Sequence, residues 1–74
     1  MPTILHLFTR APGALARSTL ERELGTGDRV TLVLLEGAGP PPDLDGVTVR
    51  RVPGELDYRQ VLDLVFEADR VIAW

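Results

Sequence analysis

At 74 residues the chain is one small domain, 1–74, and a domain of that size buries only about 60% of its unfolded surface. It contains no cysteine, which excludes disulfides, thiolate nucleophiles, cysteine-ligated zinc and iron–sulfur clusters. A net charge of −3 argues against wrapping nucleic acid or lying on an anionic membrane, and no run approaches the roughly 20 apolar residues that span a bilayer.

Residues 3–8, TILHLF, predict a strand with Ile4, His6 and Phe8 on one face and Leu5 and Leu7 on the other. Both faces are apolar, as in a parallel sheet covered on two sides. No basic region precedes this run, so it reads as a strand instead of a secretory leader, and the expected location is the cytoplasm. Pro12 and Gly13 mark a turn or the first helical position. From Gly13 to Leu24 the spacing is helical, with Ala16, Leu20 and Leu24 four apart and Leu15 beside them. Arg17, Glu21, Arg22 and Glu23 fall largely on the outer face, with Arg17 and Glu21 four apart as a weak surface pair, and Gly25 is expected to close the helix as a left-handed cap.

Val30–Leu35 reads as a central strand. EGAGPPPDLDG, residues 36–46, is a loop, because three consecutive prolines forbid helix and favour extended geometry. Residues 47–52 alternate Val47 and Val49 against Thr48 and Arg50, a more exposed strand that Pro53 and Gly54 end. If this third strand is parallel to the second, the loop must cross over, which takes about a dozen residues. The alternative is an antiparallel strand at an edge. Asp57 and Gln60 have the spacing of a capping box at the start of a second helix. Tyr58, Val61, Leu62, Leu64, Val65 and Phe66 form its wide apolar stripe, with Asp63 and Glu67 outside. Asp69 and Arg70 turn the chain into a short strand, Val71–Trp74. The order predicts an α/β fold: a small, mostly parallel sheet of about four strands with helices packed on it.

Chemical motifs are sparse. Gly25-Thr26-Gly27 follows a helix instead of a strand, and Gly37-Ala38-Gly39 runs into prolines where a phosphate-binding helix would begin, so neither is a dinucleotide fingerprint. The absence of lysine excludes a Walker loop. His6, the one histidine, reads as a structural residue with one satisfied ring nitrogen, having no evident triad partner. Asp43 and Asp45 read as solvated turn residues, and Arg50 and Arg51 as the charges of an edge strand. Ser18 and Thr19 lack the strained elbow of a nucleophile. No catalytic, cofactor-binding or metal-binding residue is assigned. Trp74 anchors either its own domain or an interface, and with Tyr58 and Phe66 it makes up the candidate partner surface.

Three blocks carry a family resemblance. LDYRQVLDLVFEADRVIAW, residues 56–74, resembles the C-terminal part of the TusB/DsrH family, where an Ile/Leu-Asp-Tyr opening leads a helix and a short strand closes in Ala-Trp. ILHLFTRAP, residues 4–12, is similar to that family's Leu-His-x-x-x-Arg-Ser/Thr-Pro start. LERELGTGDRVTLVLLEGA, residues 20–38, resembles its helix, Gly-Asp turn, apolar strand and glycine. The blocks cover about two thirds of the chain, which departs from the family in being shorter and in having GAGPPPDLDG where a helix is expected. The resemblance implies a minimal DsrE-like sandwich and a place in a sulfur relay among DsrE-like and DsrF-like (TusD/TusC-like) subunits. Thiolation of the tRNA wobble uridine is the first assignment and sulfur oxidation the second. Sulfane-sulfur transfer needs a thiolate. A cysteine-free member is therefore expected to be a non-catalytic scaffold, with no cofactor. The alternative is a free-standing homo-oligomeric module binding a small anion at the strand ends, near Thr9–Gly13 and Gly37–Gly39.

Overall fold

The computed structural model describes residues 2–40, 44–52 and 54–74. Its elements are β1 (Thr3–Phe8), α1 (Ala14–Gly25), β2 (Arg29–Leu34), β3 (Val47–Arg51), α2 (Tyr58–Glu67) and β4 (Arg70–Ala73). They form an α/β fold with a four-stranded, all-parallel sheet in the order β3-β2-β1-β4. The geometry expected at Pro41 and Pro42, the turn at Asp43 and the strand stop at Pro53 lie outside the described residues.

The apolar run of β1 follows from its central place. β1 pairs with β2 from Thr3↔Arg29 to Phe8↔Leu34 and with β4 from Ile4↔Arg70 to Leu7↔Ala73. Its alternate side chains feed two cores. Phe8 packs with Ala16, Leu20, Val30, Leu32 and Leu34 under α1. Leu5 packs with Val33, Val52 and Val61 under α2. The helices lie on opposite faces because β1→β2 and β3→β4 step across the sheet in opposite directions, and right-handed crossovers then put their connections on opposite sides.

The third strand is parallel, in register from Val30↔Val47 to Leu34↔Arg51. The chain therefore crosses over between Leu34 and Val47 with no helix among the described residues of the link. Ala38 is buried, and Leu44 packs on the α1-side core, so the loop covers the area where a helix would ordinarily lie.

Two local expectations are corrected. The left-handed residue after α1 is Gly27, at φ +85°, whereas Gly25 is the last helical residue. Thr26 prolongs the turn: its N–H reaches the Arg22 carbonyl at 3.1 Å and its hydroxyl the Glu23 carbonyl at 2.8 Å. The Gly27 and Asp28 N–H groups then close on Leu24 and Glu23. Glu23 does not lie on the outer face. It is buried with Ala16 and Leu20, because seven residues from Ala16 is two helical turns. Arg17 and Glu21 do make the expected surface pair, at 3.1 Å.

The capping box of α2 is present in both halves. The Gln60 N–H donates to Asp57 Oδ1 at 2.8 Å, and the Asp57 N–H donates to Gln60 Oε1 at 2.9 Å.

Candidate functional site

The buried polar chemistry converges on His6. Its side chain is fully buried on the α1 face of β1. Trp74 Nε1 lies 2.9 Å from His6 Nδ1, and His6 Nε2 lies 2.6 Å from Glu23 Oε1. An indole nitrogen only donates, so Nδ1 must accept and the ring proton sits on Nε2, which donates to the carboxylate. The contact with Glu23 is thus a charge-assisted hydrogen bond of a neutral imidazole. Both ring nitrogens are occupied, against the single satisfied nitrogen expected from sequence. An imidazole held this way has no lone pair or proton to offer a substrate.

The same contacts dock Trp74. Its backbone N–H donates to the Leu7 carbonyl at 2.8 Å, and its carbonyl accepts from Thr9 Oγ1 at 3.2 Å. The rings of His6, Phe8 and Trp74 lie nearly parallel, with centroids 6.0–6.2 Å apart. Of the two roles open to Trp74, the structure shows the tryptophan packed on its own domain. The partners Glu23 and Trp74 stand 17 and 68 residues from His6. The burial of Glu23 was recoverable from helix spacing; the indole bond had no sequence signal.

Next to Trp74 the sheet reverses its winding, since β1 has β2 on one side and β4 on the other. Open α/β sheets bind ligands at such a point, beyond the strand C-termini. A cleft of about 220 Å³ lies there, lined by Phe8, Arg10, Ala11, Pro12, Leu15 and Trp74, among others. Its walls are predominantly apolar, with one cation, Arg10, and Leu15 is 72% exposed at its rim. The loops after β1 and β2 come together at this end, as a Cβ on Gly37 would lie 3.7 Å from the Thr9 carbonyl and one on Gly39 3.8 Å from Ala11 Cβ.

A second apolar surface lies on the other face. Val61, Leu64 and Val65 of α2 turn inward, but Tyr58, Leu62 and Phe66 are 62%, 57% and 84% exposed. Four-residue spacing sets them in one ridge. In a right-handed β3–α2–β4 connection this ridge is directed toward β4, and Gln60 and Glu67 toward β3. Of the sequence-predicted partner residues, Tyr58 and Phe66 therefore share a surface with Leu62, while Trp74 sits on the opposite face. Arg50 meets Glu55 at 3.8 Å on the exposed β3 edge.

Among the described residues no three His, Asp or Glu side chains converge as metal ligands, and no helix is long and apolar enough to cross a membrane. Comparison with family models, curated proteins and solved structures returns no match for this chain.

Proposed function

We propose that this protein is a non-catalytic subunit of a cytoplasmic sulfur-relay complex, assembled with DsrE-like and DsrF-like subunits and serving 2-thiolation of the tRNA wobble uridine. The observation that carries the reading is the closed contact among His6, Glu23 and Trp74. These polar and aromatic residues come from the three blocks that resemble the TusB/DsrH family, and they bond one another. The chain has no thiol to carry sulfane sulfur. What it presents to a sister subunit is the apolar Leu15–Trp74 cleft. An exposed apolar cleft on so small a domain suits a subunit set among neighbours.

The test is co-purification of the tagged chain from its native host, with partners identified by mass spectrometry and persulfide located by alkylation. DsrE-like chains are expected, with the persulfide on a cysteine of one of them. A clean preparation without any such chain overturns the reading. The second reading, a free-standing module binding a small anion, is favoured only by the cleft at the strand ends with Arg10 on its wall. It predicts a thermal shift with phosphorylated metabolites at millimolar concentration, and the apolar walls weigh against it.

A further inference from the structure

We propose that two copies of this chain join edge to edge along β4, about a two-fold axis normal to the sheet, with the α2 ridge of each copy against that of the other. The inference goes beyond the relay reading and does not depend on it.

The backbone comes first. Among the described residues β4 pairs with β1 alone. The Trp74 N–H bonds to β1, and residues alternate sides along a strand, so the N–H and C=O groups of Val71 and Ala73 point to the open edge. Proteins ordinarily guard such edges with charge. The opposite edge, β3, is guarded by Arg50 and Arg51. Between Arg70 and Trp74 the β4 edge has only Val71, Ile72 and Ala73, and Val71 is 41% exposed.

The side chains point the same way. Val71 and Ala73 pair with Leu5 and Leu7, which places them on the α2 face beneath the ridge. A two-fold axis normal to the sheet makes the meeting strands antiparallel and keeps both α2 helices on one face. Each ridge of Tyr58, Leu62 and Phe66 then faces its mate across a floor of Val71 and Ala73. With the axis at Ile72, the outward backbone groups of Val71 meet those of the mate's Ala73 and the reverse, and this self-complementary edge selects a second copy over an unrelated partner. Tyr58, Leu62, Phe66 and Val71 together offer on the order of 500 Å² per copy, or ~1,000 Å² for the pair, at the lower bound for a specific interface. The expected dimer is weak, dissociating in the micromolar range.

Sedimentation of the full chain across that range should show a monomer of 8.1 kDa in equilibrium with its dimer. Phe66→Asp should weaken the dimer by about tenfold or more while leaving the circular dichroism unchanged. Because the chain lacks cysteine, Leu62→Cys can be joined cleanly by a short bis-maleimide, and Thr48→Cys on the β3 edge should not cross-link. A chain that stays monomeric throughout, a dimer indifferent to Phe66→Asp, or equal cross-linking from Thr48→Cys overturns the proposal. None of these outcomes bears on whether DsrE-like chains co-purify.

Discussion

Removing the indole N–H while keeping an aromatic ring isolates the hydrogen bond that ties Trp74 to the sheet. In Trp74→Phe the ring still lies beside Phe8, but Nδ1 of a fully buried His6 loses its donor. An orphaned buried acceptor costs about 1–3 kcal/mol. The smaller ring gives up roughly 1 kcal/mol of apolar burial. A 74-residue domain has a total stability of about 4–11 kcal/mol, so the loss is a substantial share of it. At roughly 4–8 °C per kcal/mol, the thermal midpoint should fall by on the order of 10–20 °C. The assay is far-ultraviolet circular dichroism of the full chain on heating, since the substitution removes the only tryptophan and with it the fluorescence signal. His6→Leu combined with Trp74→Phe should lose less than the sum of the two single changes, because donor and acceptor leave together. A midpoint for Trp74→Phe within about 2 °C of the parent, or strict additivity in the double variant, would refute the reasoning.

Other consequences follow from local geometry. Glu23→Gln retains an acceptor for His6 Nε2 and loses only the charge, so it should cost about 1 kcal/mol in urea unfolding and less than Glu23→Leu. Asp57→Ala removes the α2 cap and should lower stability by about 1 kcal/mol, measured by the urea midpoint at constant slope. Gly27→Ala forces a side chain into the left-handed region and should destabilise by about 1 kcal/mol. Gly25→Ala, in helical geometry with open space around it, should stabilise by up to ~1 kcal/mol in the same thermal melts. Leu32→Ala opens the α1-side core at a fully buried position and should cost about 2–5 kcal/mol, enough to leave much of the chain unfolded at 37 °C by circular dichroism.

The elements that sequence reading locates are those with local causes. β1 and β2 are legible because strands buried on both faces are continuously apolar, and α2 because Asp57 and Gln60 form a reciprocal cap. Features that depend on distant parts of the chain are not legible in this way. Gly25 and Gly27 look alike as helix stops until the Thr26 hydroxyl is seen to extend the turn. The direction of β3 depends on how the loop packs against Leu24 and the α1-side core, for which alternation within the strand has no code. The apolar residues of α2 form a single stripe in sequence, and only the width of the sheet beneath decides that Val61 is covered and Phe66 is not. Of the three residues read as a partner surface, Tyr58 and Phe66 stand together on α2, and Trp74 is held by a histidine 68 residues away.

The position of β1 has a bearing on how the chain is made. Synthesised before the other described elements, β1 is flanked in the finished sheet by β2 and by residues 70–73. Its hydrogen-bonding needs on that second side, and the lone pair of His6, stay unmet until those late residues have arrived. Closing a loop of such length is slow relative to forming the β1–α1–β2 unit. During translation the nascent chain therefore presents an unpaired, apolar β1 edge for as long as it takes to complete α2 and β4. In that interval the strand is open to non-native pairing, and the docking of Trp74 on Leu7 and His6 closes it.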